Sequence, residues 1–201
     1  MKSYKYGKII ENIEIYKDIW KMKVDVNLGG KAGQFFMFRS KFFGDQPLLS
    51  RPFGVCDQDE EGLTLLYQKV GKGTDLMTSL KKGEEVEILG PLGNGFEILD
   101  REKIAVVAGG IGIAPLLYLC KKLNKKIDFY AGFSDDPYFV KEFEPYVNKI
   151  VTTSDKKDKI FITEKINPDD YDLIYACGPN PMLEALCAKN TSAQIQVSME
   201  S

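Results

Sequence analysis

Histidine is absent from this sequence of 201 residues. Without an imidazole, the chain cannot build a Ser-His-Asp or Cys-His catalytic centre, or a metal site with histidine ligands. If the chain is an enzyme, its chemistry must need little proton transfer from the protein. Hydride or electron transfer by a bound cofactor is the leading reaction class of that kind.

Cysteine is sparse, and long apolar runs are absent. The four cysteines are Cys56, Cys120, Cys177 and Cys187. No two have the C-x-x-C spacing of a metal-binding knuckle. No apolar run approaches the roughly 20 residues of a membrane span. Residues 1–4 lead into polar sequence and not into the apolar core of a secretory signal, so we expect reduced thiols and a cytoplasmic protein.

Net charge is also low, at −2. Such a balance gives no reason to expect nucleic acid or an anionic membrane as a partner.

Short apolar strands fill the first half of the chain. They are predicted at residues 6–16, 19–28, 34–38, 52–56, 63–70 and 84–89. Many short strands, glycine turns and almost no helix predict a small antiparallel β-barrel or sandwich. One short helix is predicted over residues 74–80, with Thr74 as its N-cap and Gly83 after its end.

Strands alternate with helices in the second half. The strands are predicted at residues 104–107, 127–132, 150–152, 171–176 and 194–199, and the helices at residues 115–123, 140–146 and 181–188. This alternation predicts an α/β domain with a doubly wound parallel sheet. We therefore predict two domains, residues 1–98 and residues 99–201.

One glycine turn carries the strongest signal for a ligand. Residues 106–115, VVAGGIGIAP, run from an apolar strand through Gly109, Gly110 and Gly112 into a helical pattern. Glycines let the backbone approach a diphosphate closely, and the first N–H groups of the helix point at the anion. Pro115 suits the first helical position. Pro115 stands where the dinucleotide fingerprint has a third Gly or Ala. Glycine turns of this kind also occur where no nucleotide binds. Other segments of the chain must therefore decide whether this turn binds a nucleotide.

The order of motifs resembles the ferredoxin–NADP reductase superfamily over essentially the whole chain. In that superfamily an N-terminal barrel holds a flavin and a C-terminal α/β domain holds NAD or NADP. The resemblance assigns a first flavin segment to Arg51, Pro52, Phe53 and Gly54. Arg51 would pair with the flavin diphosphate, since guanidinium and phosphate match in charge and geometry. Gly54 departs from the usual Ser or Thr, which removes a hydroxyl near the flavin ring.

A second flavin segment follows from the same resemblance. It consists of Tyr67, Gln68, Lys69, Val70, Gly73 and Thr74. The first four would run beside the isoalloxazine and ribityl chain, and Thr74 would place its N–H and hydroxyl on the diphosphate. Residues 90–96, GPLGNGF, match the turn that closes the barrel.

The nicotinamide side has its own motif. Residues 177–182, CGPNPM, resemble the turn that lies beside the nicotinamide in relatives. The residues assigned there are Cys177, Gly178, Pro179 and Met182. Cys177 would be a small polarizable neighbour of the hydride path, not a nucleophile. The alternative is a buried cysteine at the end of a strand.

The choice between NAD and NADP is argued from charge. Asp135 and Asp136 follow the predicted strand at residues 127–132, and no arginine is nearby in the sequence. A carboxylate there can accept hydrogen bonds from a ribose diol and would repel a 2′-phosphate. We therefore expect NAD, with a solvated loop and a helix-capping Asp as the alternative interpretation.

Within the superfamily, the details resemble the electron-transfer subunits of NAD-dependent dihydroorotate dehydrogenases of pyrimidine biosynthesis. The motifs that carry this resemblance are RPFG, GKGT, AGGIGIAPL and YACGPNPM. It implies an oxidoreductase with FAD and NAD as cofactors, in a hetero-oligomer with a catalytic FMN-containing dihydroorotate dehydrogenase subunit. No residue is assigned a catalytic or metal-ligating role.

The same resemblance implies a [2Fe–2S] cluster on a cysteine-rich segment after the last strand. The sequence stops at Ser201, about where that segment would begin, and the spacing of the four cysteines matches no cluster motif. Truncation, loss of the tail and a relative without a cluster all stay open.

Two other hypotheses stay open as well. One is the same fold in another complex, of the hydrogenase, sulfite reductase or NADPH–ferredoxin oxidoreductase type. The other is a flavin-free regulatory or scaffolding module, which Gly54 and the missing cysteine-rich segment keep plausible.

Overall fold

The computed structural model describes residues 3–43 and 49–199. The expectations drawn from the ends of the sequence fall partly on residues 1–2 and 200–201, which lie outside the described residues. Two compact units make up the chain, Met1–Gly95 and Phe96–Ser201.

Seven strands form one antiparallel sheet in the first unit. They are β1 (Ser3–Tyr16), β2 (Ile19–Val24), β3 (Phe35–Ser40), β4 (Arg51–Gly54), β5 (Asp57–Gln58), β6 (Leu63–Gln68) and β7 (Glu85–Leu92). The strand order is β4-β3-β7-β1-β2-β6-β5. The sheet is curled, as the distance between two rings shows. Phe53 of β4 and Tyr67 of β6 come from near its two edges, yet their ring centroids are 6.1 Å apart. This arrangement is the antiparallel barrel that the sequence predicts.

Alternation along the strands fills the barrel. In β3, Phe36 and Phe38 are buried, while Met37 and Arg39, which alternate with them, are half-exposed. Because successive side chains of a strand point to opposite faces, the phenylalanines line the interior.

A short helix, α1 (Lys72–Thr78), follows β6. Its N-cap is Gly71, so the prediction that Thr74 caps the helix is wrong. Thr74 is instead the third helical residue, and its Oγ1 accepts hydrogen bonds from the N–H groups of Val70 and Gly71 at 3.0 and 3.1 Å. The hydroxyl therefore reaches back to the start of the helix, which a Thr at the third position can do when the N-cap has no side chain.

Five parallel strands form the sheet of the second unit. They are β8 (Ile104–Gly109), β9 (Ile127–Phe133), β10 (Val147–Ser154), β11 (Leu173–Gly178) and β12 (Gln194–Met199). Their order is β10-β9-β8-β11-β12. The helices are α2 (Ala114–Leu123), α3 (Asp155–Asp158), α4 (Ile162–Lys165) and α5 (Asn180–Cys187). Every residue of β8 and β11 is buried, as expected for central strands covered on both faces.

Local differences from the sequence expectations have physical reasons. The predicted helix at residues 140–146 is a 3-10 helix, and Pro145 inside it cannot donate the α-helical hydrogen bond. The helix α2 begins one residue earlier than predicted, so Pro115 occupies the second helical position. The helices α3 and α4 were not predicted, because four residues are too few to show a periodic pattern.

One polar network is built into the edge of this core. The Tyr171 hydroxyl donates to Asp128 Oδ2 at 2.8 Å and lies 2.7 Å from the Tyr130 hydroxyl. Burial and these two neighbours raise the pKa of Tyr171, so the phenol stays protonated. No helix among the described residues is long and apolar enough to cross a bilayer.

Candidate functional site

The strand order creates a crevice at one edge of the parallel sheet. From β8 the chain proceeds to β9 and β10 on one side, whereas β11 and β12 extend the sheet on the other side. The connections that leave β8 and β11 therefore diverge at their carboxyl ends. In open α/β sheets this switch point is where ligands bind.

Glycines bring two backbone segments together at this switch point. A Cβ atom on Gly112 would lie 2.4 Å from the Cys177 carbonyl oxygen. A Cβ atom on Gly178 would lie 2.9 Å from Gly109 Cα, and one on Gly109 would lie 2.6 Å from Met182 Sδ. Any larger residue would force the segments apart. The motifs at residues 109–115 and 177–182 thus form one site, although more than 60 residues separate them along the chain.

Gly110 has a different reason to be glycine. Its φ is +53°, in the left-handed region, and a Cβ atom there would meet nothing within 4 Å. The residue begins a 3-10 turn, Gly110–Ile113, that leads directly into α2. The backbone of this turn borders open space at the N-terminal end of a helix, an arrangement suited to binding an anion.

The end of β11 and the residues that follow it lie on the other side of the crevice. Cys177 is 2 % exposed, and Pro179 is the N-cap of α5. The side chain of Met182 lies against Gly109. The structure therefore brings all four residues of the predicted nicotinamide turn to the crevice edge.

Asp135 and Asp136 lie past the end of β9, at the same carboxyl edge. Each carboxylate has a lysine partner from beyond the end of β10. Asp135 Oδ2 is 2.9 Å from Lys156 Nζ, and Asp136 is paired with Lys157. Sequence reasoning missed both lysines, because they are about 20 residues from the carboxylates and only the parallel pairing of β9 with β10 brings them close.

A second candidate site lies on the barrel unit, where Arg51 crosses the start of α1. A Cβ atom on Gly73 would lie 2.6 Å from Arg51 Nε. Arg51 Nη1 also donates to the Leu49 carbonyl at 3.0 Å. A guanidinium thus lies against the first turn of a helix, and both groups attract an anion.

Asn12 links the end of β6 to the C-terminal end of α1. The Tyr67 hydroxyl donates to Asn12 Oδ1 at 2.9 Å, while Asn12 Nδ2 donates to the Met77 and Leu80 carbonyls. Tyr67 as a whole residue is 1 % exposed, and burial raises the pKa of its phenol. The exposed part of this segment therefore begins at Gln68.

The other residues predicted for the flavin segments lie at the surface. Those that are exposed or half-buried are Pro52, Phe53, Gly54, Gln68, Lys69, Val70 and Thr74. Val70 is 78 % exposed, although it is apolar. Lys69 faces Asp18 at 3.4 Å and Asp75 at 3.9 Å. The structure therefore brings Arg51, Gly73 and Thr74 together. Residues 68–70, which precede Gly73 in the sequence, are exposed to solvent.

The thiols do not form a site of their own. Cys56, Cys120 and Cys177 are buried and Cys187 is exposed. Burial raises the pKa of the Cys120 thiol to about 12. Among the residues that the structure describes, no group of three or more histidine, cysteine or acidic side chains could hold a metal.

Curated relatives match the chain over nearly its whole length. It is 37% identical over 206 residues to the "Dihydroorotate dehydrogenase B (NAD(+)), electron transfer subunit" of Clostridium acetobutylicum, covering 99% of this chain and 83% of that protein. It is 39% identical over 208 residues to the protein of the same name from Clostridium perfringens, covering 98% and 83%. No family model matches the chain.

Solved structures share the fold. The NADH-dependent reduced ferredoxin-NADP oxidoreductase, studied for flavin-based electron bifurcation, aligns with a TM-score of 0.82 at 22% identity, covering 96% of this chain and 76% of the other. A mutant ferredoxin-NADP+ reductase from Plasmodium falciparum aligns with a TM-score of 0.78 at 16% identity, covering 98% and 96%. The ferredoxin reductase-like fold expected from the sequence is confirmed.

Gly112→Ala tests the close approach at the crevice. We expect it to destabilise the protein more than Gly110→Ala, because the new Cβ atom would overlap the Cys177 carbonyl, whereas Ala at 110 has space. Overpacking typically costs about 1–3 kcal/mol, and a left-handed alanine about 1–2 kcal/mol. Urea denaturation of both variants measures the difference. A Gly112→Ala protein as stable as the wild type would contradict the geometry.

Thiol labelling tests the burial of the cysteines. We expect one thiol, Cys187, to react quickly with a disulfide reagent in the native protein, and all four after unfolding. Cys187→Ser should abolish the fast phase, and Cys120→Ser should leave it unchanged. Rapid labelling of Cys177 in the native state would contradict its placement.

Proposed function

The chain belongs to the family of dihydroorotate dehydrogenase B (NAD(+)) electron transfer subunits, and from this premise we propose that it is an FAD-containing subunit that passes electrons to NAD⁺. The electrons would come from a catalytic dihydroorotate dehydrogenase subunit in pyrimidine biosynthesis. As a member of this family, the chain is an oxidoreductase subunit that takes part in electron transfer.

The observation that carries the proposal is the glycine contact at the switch point. The crevice beside Gly109, Gly110 and Gly112 fits a dinucleotide diphosphate, because its backbone is bare of side chains and leads into the ten-residue helix α2. Cys177 and Pro179 would shape the adjoining nicotinamide pocket. Asp135 would accept hydrogen bonds from the adenosine ribose.

The barrel unit fits the diphosphate of FAD in the same way. A side chain at position 73 would fill the space that Arg51 occupies, so the glycine keeps the guanidinium against the start of α1. Arg51 would neutralise the phosphates. The Thr74 hydroxyl accepts from the N–H groups of Val70 and Gly71 and so fixes the loop that leads into α1.

These residues position cofactors and do not transfer protons. When bound, FAD exchanges a hydride with a nicotinamide and single electrons with a one-electron partner. No histidine is available as an acid or base, and the protein contributes orientation and electrostatic stabilisation. The exposed segment from Gln68 to Val70 would contact the flavin.

The described residues do not fit an iron–sulfur cluster. They contain no set of three potential ligands in one place, and Cys56 lies in a different unit from the other three cysteines. The name of the relatives as electron transfer subunits supports a catalytic partner subunit, which is part of the proposal.

The two other hypotheses make different predictions. A subunit of another complex would keep both cofactor sites and fail to couple to dihydroorotate oxidation. A flavin-free module would remain colourless after incubation with FAD.

Arg51→Ala tests the flavin site. We expect the purified variant to lose most of its FAD, because the Arg51 guanidinium lies against the first turn of α1, where the diphosphate would bind. Arg39→Ala is the matched control, since Arg39 lies on the neighbouring strand β3 and outside the predicted segments. The ratio of visible to ultraviolet absorbance measures occupancy. Full FAD occupancy in Arg51→Ala would show that this arginine does not anchor the flavin.

A further inference from the structure

The chain enters the second unit through residues 96–99, a segment without regular secondary structure. Phe96 is 7 % exposed, and its ring lies edge to face with the ring of Tyr175, with centroids 5.4 Å apart. Tyr175 belongs to β11 and is fully buried. The first residue of the second unit is therefore packed against the parallel sheet of that unit.

Four hydrogen bonds hold the rest of this segment on the same sheet. The Glu97 N–H donates to Gln196 Oε1, and Gln196 Nε2 donates to the Glu97 carbonyl, both at 3.0 Å. The Tyr175 hydroxyl donates to the Glu97 carbonyl at 2.8 Å and accepts from the Leu99 N–H at 3.3 Å. Two side chains thus satisfy backbone groups of a segment that lies outside the strands.

These two side chains come from one row of the sheet. Tyr175 of β11 is in register with Gln196 of β12, so both project from the same face. Burial raises the pKa of Tyr175, and its hydroxyl therefore stays protonated and able to donate to Glu97. We call this pair of side chains the Tyr175–Gln196 clamp.

The first unit holds the preceding residues in its own way. Gln34 Nε2 donates to the Gly93 carbonyl at 2.7 Å. Gly95 has a φ of +75°, and a Cβ atom there would lie 2.7 Å from the Ala32 carbonyl oxygen. The backbone is thus held as far as Gly95 by the first unit and from Phe96 by the second. Because a hinge needs residues whose φ and ψ can change, hinge motion is limited to the bonds near residues 95 and 96.

We propose that Tyr175 and Gln196 are positioning residues for hydride transfer, because they restrict the connection between the units that would hold FAD and NAD. The inference rests on the proposed function. Hydride transfer needs donor and acceptor atoms about 3–3.5 Å apart and aligned. Without the clamp, residues 97–99 would gain backbone freedom, and the two cofactors would spend less time in a reactive arrangement. The clamp itself takes no part in the chemistry.

Amide hydrogen exchange of the full chain, followed by NMR, tests the clamp without any cofactor. Gln196→Ala removes the acceptor of the Glu97 N–H, and Tyr175→Phe removes the acceptor of the Leu99 N–H. We expect each variant to speed exchange of its own amide at least about threefold, the size expected for one lost hydrogen bond. Gln194→Ala is the matched control, since Gln194 is an exposed residue two positions earlier on the same face of β12, and it should change neither amide.

Reduction of the FAD-loaded protein by NADH, followed by stopped flow without oxygen, tests the positioning role. In the double variant Tyr175→Phe/Gln196→Ala we expect the limiting rate at saturating NADH to fall at least about fivefold, because alignment is lost. The NADH concentration that gives half the limiting rate, and the FAD occupancy, should stay within about twofold of wild type. Gln196→Ala alone, a change on the edge strand β12, should lower the limiting rate by a smaller factor. Gln194→Ala should leave it unchanged.

The outcomes separate this inference from the function on which it rests. Unchanged exchange of the Glu97 and Leu99 amides in their variants would show that the clamp does not hold the segment. Faster exchange with an unchanged limiting rate would show that the clamp does not position the cofactors, and either result overturns the inference. If NADH does not reduce the flavin of the wild-type protein, the proposed function itself is wrong and the positioning role is lost with it.

Discussion

The contact of two backbone segments at the switch point of the parallel sheet is the constraint on which the second unit depends. Gly112 comes against the Cys177 carbonyl, and Gly109 against Gly178 and Met182, at distances that leave no room for a Cβ atom. Hydrophobic burial of β8 and β11 holds these strands side by side. The missing side chains then leave bare backbone beside the first turn of α2, where an anion can come close.

The barrel unit applies the same principle with a different partner. Because Gly73 has no Cβ atom, the Arg51 side chain can occupy that space, and its positive charge lies at the start of α1. Asn12 fixes the other end of this helix and the Tyr67 hydroxyl. In both units the glycines allow another group to come close, a second backbone segment in one unit and the Arg51 guanidinium in the other. The candidate sites contain few reactive side chains. That is the composition expected of a protein that positions cofactors.

Much of this could be predicted from the sequence, because the signals were local. The short apolar strands and glycine turns of the first half and the apolar runs of β8 and β11 predicted both sheets, and the glycine turn before α2 predicted the crevice. The role of Thr74 could not be predicted. A threonine near the start of a helix can be the N-cap residue, or it can be the third helical residue whose hydroxyl bonds back to the N-cap. The pairing of Asp135 with Lys156 could not be predicted either, because it depends on which strands are neighbours. Charge arguments about a ligand therefore need the sheet order as well as the sequence.

The most direct test of the account is the visible absorption spectrum of the purified, FAD-loaded protein, recorded without oxygen before and after NADH is added. We predict a flavin spectrum that NADH bleaches, since the proposed function requires FAD and NAD to exchange a hydride on this chain. A flavin spectrum that NADH leaves unchanged would contradict electron transfer between FAD and NAD. A protein that stays colourless after incubation with FAD would contradict the flavin site itself.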